Sequence, residues 1–150
     1  MLNSIHPFVE VLIVVGVFAL IATIAAYRMR EKAKPSRTGI IVSVLPNLIM
    51  LGLFYSLALH MYHSLGTWPE SIGDRGFPPL LVAHDYIENR SFALLLLFNI
   101  FVLPVAIILC LLVRPWRKLV IYLAAYTSSY GISLGIMLLA PAKFLDWWLD

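Results

Sequence analysis

Four long apolar stretches constrain this chain more than any other feature of its sequence. They cover residues 8–27, 39–62, 92–113 and 119–141 of the 150. Crossing the roughly 30 Å hydrocarbon core of a bilayer takes about 20 apolar residues in a helix that rises about 1.5 Å per residue, so each stretch is long enough to span. Only helices and closed barrels satisfy every backbone hydrogen bond in lipid. The stretches lack the alternation of apolar and polar positions that marks a barrel strand, so they are predicted to be transmembrane helices.

The composition agrees with a lipid environment. Hydrophobic residues make up 61% of the chain and charged residues 13%, against roughly 45 to 50% and 25% in a soluble domain. The single cysteine excludes an internal disulfide and a CxxC redox pair. The predicted fold is therefore all-α and integral to the membrane, with residues 1–150 forming one domain. We expect an antiparallel bundle of four transmembrane helices, with one structured outer loop, residues 63–91, between the second and third helices.

The distribution of Lys and Arg predicts the orientation of the bundle. Short loops rich in these residues stay on the cytoplasmic side. Five lie between the first and second spans and three between the third and fourth, namely Arg28, Arg30, Lys32, Lys34, Arg37, Arg114, Arg117 and Lys118. The opposite side receives only Arg75, Arg90 and Lys143. Both termini and the loop at 63–91 are therefore predicted to lie outside, in periplasm or lumen, with the basic loops in the cytoplasm and the chain in a cell's inner membrane.

The same eight basic residues have two interpretations. They act as topology determinants, and they are candidates for contact with anionic lipids, since each basic residue beside an acidic leaflet is worth about 1 kcal/mol. Nucleic acid is not a predicted partner, because its recognition needs a soluble basic face. The lipid bilayer is the partner that these charges indicate.

Few polar residues lie inside the predicted spans. Asn47 and Asn99 fall near the middle of the second and third spans, and each is expected to bond to a hydroxyl on a neighbouring helix. The fourth span carries a stripe of small residues, Ser128, Gly131 and Gly135, which permits close approach of a second helix. Two alternatives stay open for this stripe: packing inside the chain's own bundle, or contact with another copy or another subunit.

The predicted outer face carries the candidate site for a ligand. His60 and His63 are three residues apart, which places both rings on one face of a helix, and Asp85 or Glu88 could complete a metal site. Haem would need a second histidine from a facing helix. The first, third and fourth spans contain none, so haem would have to recruit His6 or His84. A histidine at a helix end is more commonly an interfacial polar residue, and no cofactor is clearly implied.

Sequence motifs favour a role other than catalysis. The chain contains no GxSxG elbow, phosphate-binding glycine loop or HExxH pair. The leading expectation is a structural or accessory protein that packs against another membrane subunit or against itself, because its interior is poor in polar groups and its fourth span carries the small-residue stripe. The alternative is metal or haem binding through His60 and His63. The third is transport of a small solute, which would require a cavity that reaches Asn47 or Asn99.

Overall fold

The described residues of the chain fold almost entirely into helices. A computed structural model describes residues 13, 16–18, 20–28, 35–69 and 76–149, and these residues contain no strand. The helices in chain order are α1 (Gly16–Arg28), α2 (Arg37–Leu65), α3 (Pro79–Leu97), a π-helical turn (Phe98–Val102), α4 (Leu103–Leu112), a 3-10 helix (Arg114–Leu119), α5 (Val120–Met137) and α6 (Ala142–Leu149). The all-helical class is therefore confirmed.

Within the described residues, three continuous helical runs are long and apolar enough to cross a membrane. They are Arg37–Leu65, Pro79–Leu112 and Arg114–Met137, and they overlap the second, third and fourth predicted spans. The first predicted span, residues 8–27, falls partly outside the described residues. Within them, α1 is a shorter apolar helix. The described residues thus contain three helices suited to crossing a membrane, which suggests a helical membrane protein.

The outer loop predicted over residues 63–91 is wrong at both ends. Helix α2 continues to Leu65 and ends where Gly66 adopts a left-handed conformation, with φ of 71°, and donates its N–H to the Tyr62 carbonyl. Helix α3 already begins at Pro79, where the proline ring fixes a helical φ and the missing N–H has no helical partner to lose. The connection therefore covers residues 66–78, of which 70–75 lie outside the described residues. Hydropathy detects only the continuous apolar part of a helix, so it missed the first three turns of α3, where polar residues between His84 and Ser91 interrupt the apolar sequence.

A π-helical turn separates α3 from α4, immediately before Pro104. The proline cannot donate a backbone hydrogen bond, and its ring crowds the turn that precedes it. The chain accommodates this with a wider turn, in which the Leu103 N–H bonds to the Phe98 carbonyl five residues earlier. The turn carries Asn99, which is 2% exposed.

Two apolar clusters hold the bundle together. One joins α2, α5 and α6 and includes Phe54, Tyr130 and Phe144, all fully buried. The other joins α1, α4 and α5 and includes Ala22 and Ile107. The end of the bundle with His60 and His84 is called the histidine end below, and the end with Arg28 and Arg117 is called the basic end.

Helix α6 was not predicted from the sequence. It closes the histidine end with Phe144, Trp147 and Trp148 packed against the first cluster. The spacing of these three residues places them on one face of a helix, which is the signal that could have revealed it.

Substitution of Gly39 by Ala tests the contact between the start of α2 and α5. A Cβ at Gly39 would run into the Tyr122 ring, and the Tyr122 hydroxyl accepts a hydrogen bond of 2.9 Å from the Ser36 N–H. Because the ring is tethered, Gly39→Ala should lower the free energy of unfolding by about 1 to 3 kcal/mol, as overpacking does. Reversible unfolding in mixed detergent micelles measures the change.

Gly52→Ala is the matched control. A Cβ at Gly52 meets nothing within 4 Å, so this variant should gain up to about 1 kcal/mol from the better helix propensity of Ala. Equal effects of the two variants would contradict the close approach of Tyr122 to α2.

Candidate functional site

The histidine end brings two imidazole rings together across facing helices. His60 on α2 and His84 on α3 lie with their Nδ1 atoms 3.0 Å apart. The Nε2 atom of His84 is 3.0 Å from the hydroxyl of Ser56, one turn before His60 on α2. The three side chains therefore form a chain of hydrogen bonds that runs from Ser56 on α2 to His84 on α3 and back to His60 on α2.

The Ser56 hydroxyl has a single proton to donate, and this fixes the direction of these hydrogen bonds. The Ser56 hydroxyl donates to the Leu53 carbonyl at 2.9 Å, so its oxygen must accept from the His84 Nε2–H. Neutral His84 then has a bare Nδ1, which accepts from the His60 Nδ1–H. This assignment leaves the lone pair of His60 Nε2 with no hydrogen-bond donor among the described residues.

The structure does not gather the four residues predicted to bind a metal. His63 is exposed, and its ring lies 6.3 Å from that of Tyr62. Asp85 accepts a hydrogen bond from Asn89, and Glu88 is buried elsewhere. Within the described parts of the chain, no three His, Cys, Asp or Glu side chains form a group that could hold a metal ion.

His60 is therefore paired with His84 and not with His63. His84 was considered in the sequence analysis, but it was assigned to a loop. The structure places it on α3, where it faces α2. His6, the other histidine considered for haem, lies outside the described residues.

Glu88 is the buried acid of the histidine end. Its side chain is 1% exposed, and its Oε2 accepts a hydrogen bond of 2.9 Å from the Trp148 indole N–H. Its other oxygen has no hydrogen-bond partner among the described residues. The Trp148 ring also lies edge-on to Phe54 and Phe92, with ring centroids 5.1 and 4.8 Å away. This carboxyl therefore anchors α6 to α3.

The asparagines inside the spans bond to hydroxyl groups on neighbouring helices. Asn47 on α2 donates to the Ser129 hydroxyl at 2.6 Å and to the Tyr126 carbonyl at 2.9 Å, both on α5. Asn99 donates to the Tyr126 hydroxyl at 3.0 Å and back to the Leu95 carbonyl at 2.7 Å. Both asparagines contact the α5 residue Tyr126, so one residue joins two seams of the bundle.

The small-residue stripe on α5 faces away from the rest of the described chain. Ser128 is exposed, and a Cβ added at Gly131 or Gly135 meets nothing within 4 Å. The neighbouring side chains Ile132 and Ile136 are 64% and 36% exposed. Nothing in the described residues fills the shallow surface that the glycines leave.

The described basic residues of the predicted loops collect at the basic end. Arg28 ends α1 and Arg37 begins α2. Arg114, Arg117 and Lys118 belong to the 3-10 helix between α4 and α5, and all five side chains are exposed. Arg30, Lys32 and Lys34 lie outside the described residues.

Comparison with known proteins assigns no family to the chain. No protein-family model, no curated protein and no solved structure matches it. Function is therefore argued from the chain's own contacts.

Replacement of Trp148 by Phe tests the anchor of α6. The variant keeps an aromatic ring but removes the N–H that bonds to buried Glu88, so the carboxyl is left unsatisfied. We expect a loss of about 1 to 3 kcal/mol in the free energy of unfolding, measured in detergent micelles.

Trp147→Phe is the matched control, since Trp147 lies beside Trp148 on α6 and packs on the Phe77 and Phe144 rings. The anchor is contradicted if both variants lose the same stability, or if Trp148→Phe costs as much in a Glu88→Leu background as in the native chain.

Proposed function

We propose that this chain is a small four-helix membrane protein of structural or accessory type, whose α5 packs against a transmembrane helix of another membrane subunit. The charge distribution supports an orientation with both termini and the connection at 66–78 outside and the basic end in the cytoplasm, in a cell's inner membrane. Three helices suited to crossing a membrane support a location in a bilayer, and the shorter apolar helix α1 is the proposed fourth.

The open stripe on α5 is the observation that carries this proposal. Lipid supplies no hydrophobic drive between helices, so their association depends on close backbone approach at small residues. Gly131 and Gly135 offer such an approach with no atom of the described chain in the way. The exposed side chains of Ile132 and Ile136 flank the glycines and provide walls for a partner helix.

The hydrogen bonds of the buried asparagines support a role in helix packing over a role in solute binding. Asn47 and Asn99 are 0% and 2% exposed, and both donate to groups of the bundle itself. Polar side chains used in this way join helices. Their hydrogen bonds are consistent with a protein that presents surfaces to a partner, and they give no support to a solute path.

Photocrosslinking from the stripe tests the proposed contact. A photoreactive amino acid at Ile132 should yield a discrete crosslinked species in native membranes, identified by mass spectrometry. The double substitution Gly131→Leu with Gly135→Leu should abolish that species, because the larger side chains prevent close approach.

Gly52→Leu is the matched control, since Gly52 is a helical glycine with equally open surroundings on α2. Crosslinking should persist in this variant. A crosslinked species of twice the 16.9 kDa chain mass identifies a second copy as the occupant. A native-membrane sample with no crosslink from position 132 would contradict the proposal.

A second candidate function, binding of a transition metal at the histidine end, is favoured by the His60 and His84 pair. Two nitrogen ligands of a tetrahedral zinc ion, each at about 2.0 to 2.1 Å from the metal, lie roughly 3.3 Å apart. The two Nδ1 atoms are 3.0 Å apart, so a small separation of the rings would admit zinc or copper in place of the shared proton. The Ser56 hydroxyl already holds the far nitrogen of His84, as outer-shell partners of metal ligands do.

Metal titration of single histidine variants tests this second function. His60→Ala and His84→Ala should each weaken zinc binding to the purified protein at least roughly 10-fold, whereas His63→Ala should leave it unchanged. Isothermal calorimetry measures the affinities. Loss of binding in His63→Ala would instead support the pair predicted from sequence, and absence of zinc binding by the native chain would remove both.

A further inference from the structure

The basic end carries a groove that none of the functions above uses. It lies between α1 on one side and the end of α4 with the following 3-10 helix on the other. Its volume is about 470 Å³, within the common range of small-molecule sites. The residues that line it are Ile21, Ile24, Ala25, Arg28, Leu111 and Arg117.

Two guanidinium groups are the only charged groups among these lining residues. Arg117 donates from Nε to the Leu111 carbonyl at 3.2 Å, which ties the side chain to the end of α4, where backbone carbonyls lack helical partners. Its two terminal nitrogens form no hydrogen bond with the described residues. Neither Arg117 nor Arg28 forms an ion pair with an acidic side chain among the described residues. The lining is thus built to receive a negative charge.

The remaining walls of the groove are apolar. Ile21 and Ile24 on α1 are 43% and 49% exposed, and Leu111 on α4 is half-buried. A free inorganic phosphate would leave these side chains without a contact. A phosphate ester that carries a hydrocarbon chain would satisfy both the guanidinium groups and the isoleucines.

Neighbouring aromatic residues place the arginines at the level of lipid headgroups. Tyr27 precedes Arg28 and is 74% exposed, and Trp116 precedes Arg117 and is 47% exposed. Exposed Tyr and Trp rings at the ends of spanning helices prefer the interface between headgroups and acyl chains. The apolar walls therefore face the acyl region, and the two arginines face the phosphates.

We propose that this groove is a binding site for one anionic phospholipid. Arg28 and Arg117 bind the headgroup phosphate, for which the planar guanidinium group is well suited. One acyl chain lies along Ile21, Ile24 and Leu111. The site is distinct from the general attraction of basic loops to an acidic leaflet, because it depends on two of these basic residues and on the apolar walls beside them.

Native mass spectrometry of the detergent-purified full chain tests the site, with phosphatidylglycerol as the probe. Phosphatidylcholine is the zwitterionic comparison, since its choline ammonium neutralises the charge of its phosphate and leaves the lipid without a net charge. The native chain should retain one phosphatidylglycerol in preference to phosphatidylcholine. The double variant Arg28→Gln with Arg117→Gln should bind it about 30-fold more weakly, from the loss of two favourable charges beside the phosphate.

The matched control is Arg114→Gln with Lys118→Gln. This variant loses the same amount of charge from the same end of the bundle but keeps Arg28 and Arg117. Its affinity for phosphatidylglycerol should therefore equal that of the native chain. Ile24→Trp keeps both arginines and fills the groove, and it should also lose the lipid. Circular dichroism should show the native helix content in all three variants.

Three outcomes would overturn the proposal. Equal losses in the two charge variants would show general attraction only. Equal retention of phosphatidylcholine would show that the site does not select lipids with a net negative charge. Displacement of the lipid by millimolar inorganic phosphate, with full retention in Ile24→Trp, would show that the apolar walls contribute nothing.

Discussion

The arrangement of the helices depends on the hydrogen bonds that Asn47 makes across the seam between α2 and α5. Its amide donates to both the Tyr126 carbonyl and the Ser129 hydroxyl, in a region where no water can replace them. These bonds favour one rotation of α2 against α5. The other buried side chains of α2 then follow at helical spacing, namely Met50, Phe54, Leu57, Ala58 and Met61. With this face turned inward, His60 meets α3.

The same seam decides what α5 presents to its surroundings. Tyr126, Tyr130 and Leu134 are turned inward and buried, which leaves Ser128, Gly131 and Gly135 on the other side. Gly39, at the other end of the seam, differs from these glycines, since it lies directly under the Tyr122 ring. Gly39 is therefore used for packing within the chain, whereas Gly131 and Gly135 are left uncovered by the described residues.

Hydropathy predicted the apolar helices and failed where a helix contains polar and charged residues. The apolar stretches predicted spans that overlap three observed helices, because transfer into lipid is a sum over individual residues. The first part of α3 contains His84, Glu88 and other polar residues that make such a sum unfavourable, so this part was taken for a loop. Helix α6 is only eight residues long and lies against the protein, so neither its length nor its hydropathy was enough to predict it.

The residues of the candidate sites were visible in the sequence, but their partners were not. Local free energies of transfer and the placement of Lys and Arg are properties of the chain order, so composition and spacing alone were enough to predict membrane helices, buried asparagines and a basic end. Contacts between distant residues depend on the rotation and register of packed helices. Only tertiary packing could therefore join His60 to His84, bring Trp148 to Glu88 across 60 residues of chain, and place Arg28 and Arg117 on either side of one apolar groove.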